Sequence, residues 1–320
     1  MADNIHPRHG KGEWRGCLAQ QPPRNDLGTA QHLRQNQVMN YQGEPVYVGR
    51  DYGGRNLELS AELCGAYRDA LEADDSLYAD YVPGLLLHSE CFEDLSWYLA
   101  NLYGNLHARQ QWEMYRAVAP GTRVHTRAFI ADRYRKRDRD YVVKETWVLD
   151  SEGRLVNRGI THQSFLAETQ DEGMVVDRGR EKKAGRSFEQ TDTGLRSFEP
   201  LERLVDERMC MAFSGPDLNY HTNAEEARKL GFPDIVVQGM MSTCFLSEML
   251  THEFGLGWLE GGRMDVRLVN VLWGNETLVT GGQVVSEAPE AGRRRLQFNL
   301  WADKNDGTRV TVGNGSALID

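Results

Sequence analysis

Two stretches of this chain are copies of one another, and a repeat of that size restricts the fold to one unit built twice. TWVLDSEGRLVNRG at 146–159 matches LWADKNDGTRVTVG at 300–313. Trp147, Gly153 and Gly159 therefore fall against Trp301, Gly307 and Gly313 at a constant spacing of 154 residues. Upstream, MYRAVAPGTRVHTRAFI at 114–130 matches VRLVNVLWGNETLVTGG at 266–282, with Gly121 against Gly274. Three pairings at one spacing, with matching strand patterns around them, identify an internal duplication.

Each copy has the same order of elements. A helical stretch comes first: Leu85, Phe92, Leu95, Leu99 and Leu102 step by three, four or seven, and Val237, Met241, Phe245 and Met249 step by four. Those steps belong to one face of a helix. The flank from Gly255 to Gly262 supplies the second helix with a stop. Alternating runs follow at Val124–Ile130, Tyr141–Val148, Thr277–Val285 and Leu296–Trp301, and the polar segments 133–140 and 287–295 sit where hairpin turns belong. The pattern predicts an α+β architecture in tandem, each half a long central helix wrapped by an antiparallel sheet.

Length and charge narrow the function. The chain has 320 residues, enough for about two domains, and a net charge of −10 with no long basic block. That balance argues against nucleic acid as the main partner. No apolar run approaches the roughly 20 residues of a membrane span, and the first residues lack the apolar core of a secretory signal. Cys17, Cys64, Cys91, Cys210 and Cys244 form no CxxC pair, which predicts free thiols in a reducing, cytoplasmic setting. The Asn-x-Ser/Thr triplets at Asn275 and Asn314 are then chance. Residues 1–40 are too polar to bury much surface and read as a flexible or late-docking arm. A second polar stretch, 168–200, reads as a linker between halves spanning 41–167 and 201–320.

The most informative segment opens the second copy: Phe213-Ser-Gly-Pro-Asp217-Leu-Asn219-Tyr-His221-Thr-Asn, then AEEARKLGFPDIVVQGMM, then VRLVNVLWGNETL. It resembles the MaoC-like, (R)-specific enoyl-CoA hydratase family, whose signature reads roughly S-G-D-x-N-P-x-H. The likeness spans 203–313, and the first copy resembles the degenerate N-terminal half of double hotdog proteins. GAYRDALEADDSLY at 65–78 sits where such halves carry their opening helix and loop. The resemblance implies a double hotdog fold and reversible hydration of a trans-2-enoyl-CoA in fatty acid metabolism. It also implies no cofactor beyond the coenzyme A of the substrate, and a homodimer.

Hydration needs a base to activate water, a proton for the α-carbon, and a donor where charge builds on the thioester oxygen. By resemblance His221 is the catalytic histidine and Gly239, eighteen residues on, the oxyanion donor at the start of the central helix. The carboxylate is Asp217 only if Pro216 is an insertion, because the Asp-to-His step here is four residues and not five. Asp217 therefore has two readings, catalytic acid or loop cap, and Asn219, expected among the substrate-binding residues, also reads as a loop-ordering residue. Gln238 and Met240 flank Gly239 and are expected at the substrate. In the first copy His88 and Ser89 fall opposite Gln238 and Gly239 with no Asp/His pair before them. That half is expected to be inactive, with His88 and Glu90 lining the pocket.

Other features point less sharply. Arg133–Arg139 and Arg293–Arg295 could bind coenzyme A phosphates or could be charged hairpin tips. FGLGWLEGG at 254–262 breaks the G-x-G-x-x-G spacing of a dinucleotide loop. His6, His9, His32 and His252 lack ligand spacing, so no metal is expected. Two further functions stay open on this scaffold. One is an acyl-CoA thioesterase with Glu248 as the acid on the central helix. The other is an acyl-CoA binding protein without activity.

Overall fold

The structure is a computed structural model and describes residues 47–86, 106–136, 139–166 and 195–320. The first half contributes β1 (Asn56–Glu58), α1 (Ala61–Leu71), β2 (Leu106–Met114), β3 (Arg123–Lys136), β4 (Arg139–Asp150) and β5 (Leu155–Leu166). The second contributes β6 (Glu202–Val205), α2 (Glu207–Ser214), α3 (Ala224–Lys229), α4 (Gly239–Phe254), α5 (Leu256–Leu259), β7 (Arg263–Leu268), β8 (Glu276–Glu290), β9 (Arg293–Lys304) and β10 (Arg309–Ile319).

All ten strands join one antiparallel sheet in the order β1-β3-β4-β5-β2-β7-β10-β9-β8-β6. Read inward from either edge, both halves have the same order. The duplication is thus expressed in topology, and also in register. At the central β2–β7 seam Gln111 pairs with Asp265, while Gln110 pairs with Val266 and Trp112 with Met264. Gln111 and Asp265 are counterparts at the 154-residue spacing, so the pseudo-two-fold axis passes between them, as in an isologous dimer contact. Arg109 reinforces the seam with a forked ion pair to Asp265. Gly153 and Gly307 occupy equivalent hairpin turns at φ 77° and 80°, a conformation with little cost only for glycine.

The segments expected as hairpin turns are largely strand. β3 runs to Lys136, and β8 and β9 are separated only by Ala291 and Gly292, both at positive φ. Cross-strand partners let these charged residues extend the ladder. Arg135 bonds Asp140 at 2.8 Å, Tyr134 stacks on Tyr141, and the buried Arg295 grips Glu290 through two nitrogens. In the first basic cluster Arg133 and Arg135 thus face Asp140, while Arg139 bonds Ser164. Arg294 reaches Glu287 and Arg293 reaches Asp320.

The centre of the second half is α4, buried at every position from Met240 to Thr251. A helix buried on every side is enclosed by its surroundings, and Val266, Leu296, Phe298, Leu300 and Ala317 of the sheet share its core. Val237, expected on its stripe, lies just before its first turn. In the first half 65–78 forms most of α1 and a 3₁₀ turn at Asp75–Tyr78, with Ser60 capping α1 through the Leu63 N–H. Leu85 is fully buried, whereas Phe92, Leu95, Leu99 and Leu102 lie outside the described residues. The arm 1–40 and most of 168–200 also lie outside them. The end of that second segment is packed: Phe198 is buried against Phe254 and Phe298 and bonds Gly282. Cys64, Cys210 and Cys244 carry buried thiols. Among the described residues no helix is long and apolar enough to cross a membrane, and no three His, Cys, Asp or Glu side chains form a metal group.

Candidate active site

The loop between α2 and α3 is organised by Asn219. Its Oδ1 accepts from the His221 N–H at 2.7 Å, and its Nδ2 donates to the carbonyls of Ser214 and Asp217. Thr222 closes the loop by donating its hydroxyl to the Asp217 carbonyl. Asn223 then caps α3 through two backbone N–H groups. This accounts for the polar string G-P-D-L-N-Y-H-T-N by local hydrogen bonding. Asn219 is the loop-ordering residue expected of it.

His221 is held at both ends. Its backbone is fixed by Asn219, and its Nδ1 lies 2.6 Å from the Val236 carbonyl. A carbonyl can only accept, so Nδ1 carries the proton and Nε2 presents its lone pair. Val236 in turn donates its N–H to the Tyr220 carbonyl, so residues 220 and 221 clamp the strand-like segment leading into α4. Tyr220, Phe232 and Trp273 pack behind the loop. Burial pushes the His221 pKa down to about 4, against the Val236 bond, which raises it. The ring is neutral near pH 7, and among the described residues nothing is bonded to Nε2.

Three residues beyond Val236, α4 begins at Gly239 without a side-chain cap. Among the described residues the N–H groups of Gly239 and Met240 have no acceptor. Helix starts leave such donors unpaired and polarised, a ready oxyanion site. The Gln238 Oε1 and the Ser214 Oγ are also buried without a hydrogen-bond partner. His221, Val236, Gln238 and Gly239 are each half-buried, whereas Met240 is fully buried. Glycine at 239 also serves packing: an added Cβ would meet the end of the Leu268 side chain of β7, so the small residue lets the helix start approach the sheet.

Among the described residues no carboxylate is joined to His221. Asp217 lies exposed on the near limb of the loop and contributes its backbone carbonyl, and the pKa of His221 responds to burial and to Val236 only. Glu248 is committed elsewhere. It is buried in α4, accepts from Arg203 at 2.9 Å and from the Asp74 N–H at 3.1 Å, and ties the helix to the first half. Burial raises its pKa and Arg203 opposes that shift. It has no outlet to a substrate in this arrangement. His88 and Glu90 lie outside the described residues.

Sequence reasoning missed His107. It stands at the start of β2, and its Cβ would lie 3.9 Å from a Cβ on Gly239, so the first half reaches the oxyanion end of the site. Its Nε2 is 2.9 Å from the Gln110 Oε1, which also accepts from Thr161 at 2.7 Å. Burial pushes its pKa down to about 4. Only the seam register brings it there; no spacing in the sequence links 107 to 239.

No family model and no curated protein matches this sequence. Solved structures do match. A MaoC-like dehydratase superposes with a TM-score of 0.66 at 16% identity, covering 85% of this chain and 98% of that one. A MaoC-like dehydratase from Phytophthora capsici gives 0.61 at 17% identity, with 84% and 94% covered. A Mycobacterium tuberculosis protein described as having a double hotdog fold gives 0.54 at 16% identity, with 85% and 96% covered. At such identities it is the fold that is shared. Together with the sheet order and the buried α4, these likenesses establish that the chain has the double hotdog fold found in MaoC-like dehydratases.

Proposed function

We propose that the protein is a hydro-lyase that reversibly hydrates a trans-2-enoyl-CoA. The observation that carries this reading is the fixed tautomer of His221: its Nδ1–H is given to Val236, three residues ahead of the unpaired N–H groups that open α4, which leaves Nε2 as an unshared base. In the forward direction Nε2 takes a proton from water as the oxygen adds to the β-carbon. The Gly239 and Met240 N–H groups meet the negative charge that forms on the thioester oxygen. The protonated ring then returns its proton to the α-carbon, so one histidine balances the addition. A low pKa makes the neutral ring a modest base and the protonated ring a strong acid, which suits the return step. The first half supplies the opposite wall through His107, and no cofactor is needed. Gln238, whose Oε1 is buried without a hydrogen-bond partner, belongs to the substrate side of this reading.

Glu248 is held by Arg203 and Asp74, which disfavours the thioesterase reading. One observation favours the non-catalytic one: the partner of His221 is a carbonyl and not a carboxylate. Incubation with crotonyl-CoA separates the three. Loss of the enoyl absorbance without free thiol is expected; release of thiol identifies a thioesterase, and binding without either change identifies a carrier.

A further inference from the structure

The seam between the halves is symmetric in backbone and unequal in charge. At the 154-residue spacing Arg109 is the counterpart of Arg263, and Gln111 of Asp265; Arg263 stands opposite Glu113, and Arg109 opposite Arg267. Arg109 holds Asp265 in its forked ion pair. The symmetry mate of that pair would join Arg263 to residue 111, which is a glutamine, and its Nε2 instead donates to Asp265 at 3.3 Å. One arginine of a matched pair has its carboxylate and the other does not. Nearby acids do not supply it. Glu113 is taken up by Arg158 and the Tyr115 hydroxyl, and Glu290 by two nitrogens of Arg295. Arg263 acts on both acids at a distance. Among the described residues no hydrogen bond or ion pair engages its guanidinium.

That guanidinium lines a cavity of about 280 Å³. Met264 and Val266 turn inward to the core around α4, so Arg263 and Asp265 between them face the opposite, outer side of the sheet. Glu113, Arg263, Ser316 and Gln297 line the cavity from one ladder row across β2, β7, β10 and β9, and Asn314 lines it from the next row. Ser316 is the short residue between two long ones. Neighbouring strands are about 4.8 Å apart, so the strands of Arg263 and Gln297 stand about 10 Å apart across it. Ser316 is itself 2% exposed, and its Oγ accepts from the Arg295 Nη1 at 3.0 Å, which leaves its own O–H to donate. Among the described residues the side-chain amides of Gln297 and Asn314 are also unengaged. In the first half the counterpart of Ser316 is His162, bonded to Tyr134, so a ring stands where the second half has a gap.

We propose that this outer-face cavity binds the carboxylate of a small polar molecule, which takes the place at Arg263 that Asp265 takes at Arg109. Arg263 offers a fork, and Ser316, Gln297 and Asn314 add hydrogen-bonding groups. The amide-rich lining suits a hydroxylated acid more than an aliphatic one. The site lies on the far face of the sheet from α4 and does not rest on the hydration reading. Titration calorimetry of the full chain at constant ionic strength tests it, with L-malate as the probe. Malate is expected to bind with a Kd of about 1 mM, and butyrate about tenfold more weakly. Arg263→Gln is expected to weaken malate about tenfold and Ser316→Ala about threefold. Gln111→Glu places the missing carboxylate in the chain itself and is expected to remove malate binding. Arg267→Gln, at an exposed arginine on the same face but outside the cavity, is the control and is expected to bind as the wild type does. A wild type that does not bind malate overturns the proposal, as does wild-type affinity in Arg263→Gln or Gln111→Glu. An equal loss in Arg267→Gln and Arg263→Gln also overturns it, because surface charge and not the cavity is then being read. Tighter binding of orthophosphate than of malate overturns the choice of a carboxylate. If Ser316→Ala does not fold, Arg263→Gln carries the comparison, since Arg263 is exposed and its loss leaves the core intact.

Discussion

The Nδ1 of His221 donates to the Val236 carbonyl at 2.6 Å, and that single bond links the loop histidine to the segment that opens α4. It fixes the tautomer and ties the ring to the backbone three residues ahead of Gly239. Removing the base while keeping the clamp is therefore possible. The amide nitrogen of asparagine falls close to Nδ1, so His221→Asn is expected to retain the bond to Val236 and melt within a few degrees of wild type. Hydration is expected to fall about 10²–10⁴-fold, the usual contribution of a general acid–base group. Near-normal turnover in this folded variant would remove His221 from the mechanism.

The pH profile carries the mark of burial. With a folded-state pKa of about 4, His221 stays neutral well below the usual histidine range. kcat/KM is expected to hold from neutrality down to about pH 5 and to fall only as pH approaches 4. A falling limb near 6.5 would mean a solvated imidazole. Stability has its own sign. The unfolded chain binds the proton from about pH 6.5 downward and the folded chain does not until about 4. His221 and His107, which is shifted the same way, therefore withdraw stability as pH drops through that window, read as a declining melting temperature.

Gly239→Ala tests the packing at the helix start. The new Cβ meets the Leu268 side chain, and overpacking of this kind costs about 1–3 kcal/mol. Turnover is expected to fall as the N–H donors shift. Adding Leu268→Ala makes room, and recovery of activity in the double variant is the expected result. A double variant no better than Gly239→Ala would mean that the collision is not the cause.

Asp217→Asn is expected to stay within a few-fold of wild-type turnover. The residue serves the loop through its backbone carbonyl, which asparagine supplies equally. A loss beyond about 10²-fold would return the carboxylate to the reaction.

Glu248→Gln addresses the ion pair with Arg203. Glu248 is buried, whereas Arg203 is half-buried and keeps its bond to the Glu72 carbonyl, so neutralising the acid is expected to cost about 1–3 kcal/mol. A clear drop in melting temperature is expected, with turnover per folded molecule unchanged. Loss of activity at unchanged stability would instead revive Glu248 as a catalytic acid.

Much of this was legible in the chain itself. The repeat of Trp147, Gly153 and Gly159 at 301, 307 and 313 foretold the paired halves, because tight turns and ladder positions impose residue types locally. The α4 stripe and its glycine stop were legible for the same reason. The hairpins were drawn too short because charge was read as turn, whereas cross-strand pairs such as Arg295 with Glu290 keep it in the ladder. His221, Asn219 and Gly239 stood out as a loop and helix-start pattern within about 25 residues.

Long-range pairing decided the rest. The sequence by itself determined a duplicated α+β unit and a histidine loop ahead of a central helix, since both follow from local periodicity and turn chemistry. Only the tertiary structure decided that His221 donates to the Val236 carbonyl, that Gly239 faces Leu268, and that His107 comes up against Gly239. The β2–β7 seam, with Gln111 against Asp265, is what brings residues 107 and 239 together. Strand register of that kind depends on which backbone groups are left to pair once each half has closed on its own core, and no local signal encodes it.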